Sequence, residues 1–256
     1  MSRDRNTEAR TIIGIIGGTI AQNADGATPG ESPSTPFGDA SASMQTIAMG
    51  QANVLYLARH GPGHSIAPHD INYRANLWAF HEASVSAIVA MYAVGAIADI
   101  LTVGDIVIPD QIIDYTWGRN GSFGEILGLN HFDFSEPFSP LVRHQLLLSG
   151  EKSSRAVHTT GTYGCTQGPR LETSAEIERL RKDGCDLVGM TAMPEAALAR
   201  ELSIPFGSIC LVVNAAAGRG DGPIQNRTIQ SAIAQGSHNL LDIVGRTVPR
   251  LKNSLG

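Results

Sequence analysis

The chain has 256 residues, 42 % of them hydrophobic, and a formal net charge of −5 with both signs mixed along its length. That is enough chain for one large domain or two small ones, and it argues against a basic nucleic-acid-binding face or a charged tail. No stretch approaches 18 uninterrupted apolar residues, and Met1–Arg10 is polar without the apolar centre of a secretory signal, so neither a membrane span nor export is expected.

Residues 1–10 read as a mobile polar arm, and residues 11–256 as one domain. Short apolar runs then alternate with helical patterns. Thr11–Ile16 reads as a buried strand ending in Gly17-Gly18, followed by a Gly-, Pro- and Ser-rich surface loop over Gly26–Ser43. Val54–Ala58, Ala87–Met91 and Asp105–Pro109 read as further strands. Thr159–Thr166, Asp186–Val188 and Phe206–Val213 complete the set. Helices are expected at Tyr73–Ser84, Pro140–Ser149, Glu172–Lys182, Met193–Arg200 and Thr228–Leu251. Strands interleaved with helices specify an α/β fold with a largely buried sheet, whose functional residues belong at the strand ends. The three cysteines, Cys165, Cys185 and Cys210, are scattered and form no CxxC pair. They read as buried thiols of a protein in a reducing cytoplasm.

The strand ends carry the chemistry. Gly17-Gly18-Thr19 can turn several backbone N–H groups and a hydroxyl toward one anion, although a plain turn has the same sequence. It is neither a P-loop nor a GxGxxG fingerprint. Arg59-His60-Gly61 adds a planar fork of donors and an imidazole, which suit phosphate oxygens; the alternative is a surface ion pair beside a loop histidine. His60, His64 and His69 lack carboxylate or thiol ligands at metal spacing. Arg-His-Gly after a strand also occurs in histidine phosphatases, where the His accepts a phosphoryl group, but there the motif follows the first strand. Glu172 reads either as a helix-dipole carboxylate or as an acceptor for a ring N–H. Gly189-Met190-Thr191 closes another strand. Asn214, after the last one, is either a turn former or a ligand group.

In this order, the motifs resemble the methylthioadenosine phosphorylase branch of the trimeric purine nucleoside phosphorylases. The matching stretches are IGIIGGT (residues 13–19), TPFGDAS (35–41), LARHG (57–61), NYRANLWA (72–79), GDIVIPDQIID (104–114), HFDFSEPF (131–138), GPRLET (168–173), GMTAMPEAALA (189–199) and LVVNAAAG (211–218). Within that branch the chain is most similar to the bacterial S-methyl-5'-thioinosine phosphorylases, which share TQGPRLET and the Asn-x-Ala-Ala-Gly after the last strand.

The resemblance implies a single α/β domain with a central mixed, twisted sheet flanked by helices. It also implies a homotrimer and a pentosyltransferase reaction that uses phosphate without metal or organic cofactor. Thr19, Arg59, His60, Ala93 and Thr191 fall at the phosphate. Met190 falls at the ribose, Leu171, Glu172 and Asn214 at the purine, and His131 at the 5' end of a nucleoside held by a neighbouring subunit. Two positions depart from the family. Ile20 stands where Gly usually follows Gly-Gly-Thr, and would be strained if that backbone required positive φ. Tyr92 stands where Thr or Asn usually precedes Ala93.

Phosphate would itself be the nucleophile, leaving the protein to position it and to stabilise charge, with Arg59, His60 and Asn214 carrying catalysis. Relatives that prefer adenine carry Asp for Asn214 and Ser for Glu172. Asn can donate to O6 and serve N7, and Glu can accept from N1–H, so a 6-oxopurine is expected. S-methyl-5'-thioinosine is therefore the expected substrate, in purine salvage, with methylthioadenosine or inosine and guanosine as alternatives. A non-catalytic purine-binding protein is a further alternative.

Overall fold

The structure is a computed structural model that describes residues 11–18, 20 and 32–256. The expected N-terminal arm, residues 1–10, lies outside the described residues, as does Thr19. One ten-stranded mixed sheet forms the centre. In chain order its strands are β1 (Ile13–Gly17), the β4–β5 hairpin (Gln45–Met49, Ala52–Ala58), β6 (Ala87–Ala96), β7 (Ile106–Val107) and β8 (Gln111–Asp114), then β9 (Val157–His158), β10 (Thr162–Cys165), β11 (Leu187–Gly189) and β12 (Phe206–Ala215). A small hairpin, β2 (Ser34–Thr35) with β3 (Gly38–Asp39), lies apart from it.

The helices are α1 (Tyr73–Glu82), α2 (Gly124–Leu127), α3 (Pro140–Gly150), α4 (Ser174–Lys182), α5 (Ala192–Glu201) and α6 (Asn226–Leu255). Alternate residues of the central strands sort between two apolar layers, as the period of two requires. Ile88, Ala90, Tyr92 and Val94 of β6 pack with Leu77 and Phe80 of α1 and Ala196 and Leu198 of α5. Ala87, Val89 and Met91 pack on the other side with Val142 and Leu146 of α3 and Leu240, Ile243 and Val244 of α6. The long strands β6 and β12 are buried on both faces, which is why they read as continuous apolar runs.

The topology opens a gap. One edge of β6 pairs with β1 only from Ala87 to Ala90, in parallel. The same strand meets β11 only at Gly95 and Ala96, antiparallel. Residues 91–94 between these two pairings keep a partner only on the other side, in β12. A sheet that forks in this way leaves backbone groups and a crevice at its switch point, where ligands of open α/β sheets bind.

Several boundaries differ from the sequence reading. The strand expected at Ala87–Met91 runs on to Ala96. The strand expected at Thr159–Thr166 is shorter, β10 covering Thr162–Cys165, and a separate short strand, β9, precedes it and pairs with a different neighbour. The loop reading of Gly26–Ser43 gives way, in its described part, to the β2–β3 hairpin. Among the described residues, no helix is long and apolar enough to cross a membrane.

Candidate active site

A cavity of about 490 Å³ lies at the fork of the sheet, within the range of small-molecule sites. Its walls bring together Gly18 after β1, Arg59 and His60 after β5, Met91–Gly95 of β6, Met190 and Thr191 after β11, and Asn214 of β12. Leu171 and Glu172 close one side. Every site residue expected from the sequence is thus gathered here except two: Thr19, which is not described, and His131, which is exposed on the segment between α2 and α3.

Arg59 is 1 % exposed and its partner Glu195, from the first turn of α5, is 0 % exposed. Nε and Nη2 of the arginine donate to the two carboxylate oxygens at 2.5 and 3.0 Å, and Nη1 donates to the Met91 carbonyl, one of the β6 groups left over at the gap, at 3.2 Å. The fork is therefore aimed by Glu195, and among the described residues these bonds engage three of its five hydrogens. Tyr92 completes the cluster: its hydroxyl donates to Glu195 at 2.6 Å, and the guanidinium lies over its ring at 4.6 Å. The departure at position 92 thus supports the arginine and leaves the cavity open. Gly18 is needed for the same packing, because a Cβ there would lie 2.7 Å from Arg59 Nη1. Ile20 is buried in the apolar layer with Ile13, Ile15 and Tyr56.

His60 is oriented by the loop that follows it. Its Nδ1 lies 2.9 Å from the Ile66 carbonyl, which can only accept, so Nδ1 carries the hydrogen. Burial and the neighbouring Arg59 push its pKa down to about 4. Near neutral pH the ring is therefore uncharged, with its Nε2 an acceptor. It becomes a donor on protonation, which a phosphate dianion at the site would favour. Thr191 is the N-cap of α5, yet its side chain makes no capping bond and remains available to the cavity.

On the opposite side, Glu172 precedes the N-cap of α4; Thr173 takes that role in a capping box with Glu176. Glu172 thus stands just outside the helix and does not cap it. Its carboxylate instead accepts from the Thr166 hydroxyl at 2.6 Å and borders the cavity. Asn214 is no turn residue either. It sits in β12 at an irregularity, where Val212 pairs with Val94 and Asn214 with Gly95, so Val213 is the extra residue of a bulge. Its Nδ2 donates to the Ala215 carbonyl at 2.7 Å.

Three contributions escaped the sequence reading. Glu195 is one; a carboxylate inside the apolar stretch Met193–Ala199 signals a buried partner, but not which one. The second is the loop Ile66–Pro68, and the third is Asn226, Ile229 and Gln230 of α6, all lining the cavity. Among the described residues no three His, Cys, Asp or Glu side chains are grouped to hold a metal ion.

A forked α/β sheet whose crevice sets an aimed arginine opposite a carboxylate and an amide defines an enzyme that brings an anion to a polar organic ligand. The chain belongs to the phosphorylase superfamily, whose family model matches residues 12–249. It is 43 % identical over 230 residues to a probable S-methyl-5'-thioinosine phosphorylase of Pseudomonas syringae pv. tomato, covering 88 % of this chain and 94 % of that one. It is 39 % identical over 226 residues to the 6-oxopurine nucleoside phosphorylase of Pyrococcus furiosus, covering 86 % and 84 %. The methylthioadenosine phosphorylase of Schistosoma mansoni, solved with adenine, superposes with a TM-score of 0.88 at 28 % identity, over 94 % of this chain and 91 % of that one. These likenesses run through nearly the whole chain and favour the phosphorylases over the histidine phosphatases.

Proposed function

We propose that the protein splits S-methyl-5'-thioinosine with inorganic phosphate, giving hypoxanthine and 5-methylthioribose 1-phosphate. The observation that carries this reading is the single cavity that sets Arg59 and His60 at one end and Asn214 and Glu172 at the other. Phosphate lies on the remaining hydrogens of Arg59, the His60 ring, the Thr191 hydroxyl and the β6 backbone at Ala93. Thr19 belongs to the same subsite by its place after β1. From there phosphate attacks the anomeric carbon while its charge stabilises the cationic sugar. The ribose rests against Met190. The departing purine lies between Leu171, Glu172 and Asn214, whose amide meets the charge that grows at N7.

Base choice follows from the donors and acceptors present. A 6-oxopurine offers N1–H to the Glu172 carboxylate and O6 and N7 to an amide; adenine offers no proton at N1. A mismatched buried pair costs about 1–3 kcal/mol. The names borne by the relatives point the same way. Methylthioadenosine and inosine are the competing substrates.

In this scheme no cofactor takes part, and phosphate is the co-substrate. The protein works in the cytoplasm as a homotrimer, His131 reaching the 5' end of a nucleoside in the adjoining subunit. Support for assembly comes from Trp117, Ile126, Leu127 and Leu129, apolar side chains exposed on the segment leading to His131.

The deciding experiment assays methylthioinosine, methylthioadenosine, inosine and adenosine, each with and without phosphate. Base release should require phosphate, yield a sugar 1-phosphate and be fastest with methylthioinosine. Equal turnover in phosphate-free buffer would make the protein a hydrolase, and purine binding without turnover would leave it a binding protein.

A further inference from the structure

Arg119 lies outside the cavity, on the segment that follows β8, yet its guanidinium reaches three of the cavity's walls. Nη2 donates to the carbonyls of Gln167 at 2.9 Å and Thr166 at 3.4 Å, where β10 ends. Nη1 donates to the carbonyls of Met190 at 2.9 Å and Met193 at 2.5 Å, where β11 ends and α5 begins. Nη1 also lies 3.2 Å from the Tyr73 hydroxyl oxygen, and that hydroxyl donates to the Pro68 carbonyl at 2.7 Å. The cation lies 5.2 Å from the Tyr73 ring centroid.

Strands that stop at a crevice leave carbonyls without ladder partners, and those groups must be satisfied some other way. Here one planar fork collects them. Three of these carbonyls connect directly to the site: Thr166 carries the hydroxyl that holds Glu172, Met190 precedes Thr191, and Pro68 ends the loop whose Ile66 carbonyl orients His60. Moving any of these backbones by an ångström displaces a group that meets base, sugar or phosphate. We propose that Arg119 is a positioning residue that sets the purine half of the pocket against its ribose and phosphate half. The kinetic part of this proposal rests on the phosphorolysis reading; the structural part does not. Lysine cannot substitute, because its three hydrogens radiate from one atom and cannot span carbonyls on both sides of a fork.

The test compares Arg119→Met and Arg119→Lys with the wild type. In Arg119→Met, kcat/KM for the nucleoside should fall about 100-fold, the scale of a 1 Å misplacement at a reacting centre. The nucleoside KM should rise more than the phosphate KM, and the preference for methylthioinosine over methylthioadenosine should narrow. Guanidinium ion, far below denaturing concentration, should restore part of the activity, while Arg119→Lys should stay impaired. Independently of turnover, backbone hydrogen exchange should quicken in residues 166–173 and 189–194 but not in β6 or β12. Wild-type kinetics with unchanged exchange would overturn the proposal. So would exchange quickened evenly across the sheet in both variants with no rescue, since that is a plain loss of stability. If the wild type itself shows no phosphate-dependent turnover, the phosphorolysis reading fails, and the exchange pattern alone decides whether Arg119 sets the walls.

Discussion

Asn214 has a backbone bond in the structure and, in the proposed reaction, a chemical role as well. The bulge in β12 brings it to the cavity, and its bond to the Ala215 carbonyl fixes which atom faces where. Asn214→Asp puts a carboxylate against that carbonyl and opposite O6, so two pairs of acceptors would face each other. Against the 6-amino group of adenine it gains a charge-assisted bond. The ratio of kcat/KM for methylthioinosine to that for methylthioadenosine should fall by roughly 5- to 150-fold, or about 1–3 kcal/mol. Adding Glu172→Ser should extend the shift, with coupling because both residues meet one base. A ratio unchanged in all four proteins would remove both residues from the purine pocket.

His60 gives the residue scale a pH signature. Its folded pKa of about 4 lies below the unfolded value near 6.5, so between those values the unfolded chain binds more protons. The resulting stability is fully present above about pH 6.5 and is lost as pH falls toward 4, by up to about 3 kcal/mol. His64, lowered by burial and by Arg59, acts in the same direction. Urea unfolding in phosphate-free buffer at pH 7 and pH 4.5 should show a smaller loss for His60→Gln than for the wild type. Equal losses would mean that His60 titrates normally in the folded state. The sequence placed His60 at the phosphate end but could not give its tautomer, because the Ile66 carbonyl that decides it is supplied by a loop with no signature of its own.

At the scale of elements, legibility followed burial. Phe206–Val213 was readable because a strand covered on both faces is apolar throughout. Gln45–Met49 was not, because this antiparallel edge strand mixes Gln, Thr and Ala with two buried residues inside a polar stretch. The fork at β6 was equally hidden: pairing with β1, then a gap, then β11 leaves no trace in a uniformly apolar decapeptide. The strand ends were therefore found without the reason they converge. The contact between α6 and the β4–β5 hairpin is of the same hidden kind. Gly50, at the hairpin turn, has φ +61, and a Cβ there would lie 2.5 Å from the Gly245 carbonyl oxygen of α6. Gly63 has nearly the same φ, +64, with nothing within 4 Å of a Cβ. Both Gly→Ala changes carry a left-handed-backbone cost of about 1–3 kcal/mol. Gly50→Ala adds an overpacking cost of about 1–3 kcal/mol. Denaturant unfolding should therefore rank Gly50→Ala well below Gly63→Ala in stability. Equal losses would show that α6 does not press on this turn.

At the scale of the whole molecule, one chain supplies the cavity walls proposed to hold phosphate, ribose and purine, but its own His131 stands outside them, exposed. The segment that carries it is also where apolar surface remains uncovered, with Leu129 at 87 % and Trp117 at 73 % exposure. The proposed completion of each site by a neighbour would account for both facts, and mixed oligomers test it. His131→Ala should keep an intact pocket but leave its neighbour's site without the 5' contact; Asn214→Ala should spoil its own pocket but still lend His131. Each variant alone should be poorly active on methylthioinosine. Co-expressed in equal amounts and assembled at random, they form a working site where an intact Asn214 meets an intact His131, about one site in four of a closed cyclic oligomer. Recovery of roughly a quarter of wild-type activity is therefore expected. Sedimentation should show the mixed oligomer, and charge substitution at Leu129 should abolish the recovery by separating the subunits. Activity no higher than the average of the two parents would mean that His131 serves no neighbouring site, and a fully active monomer would mean that each chain works alone.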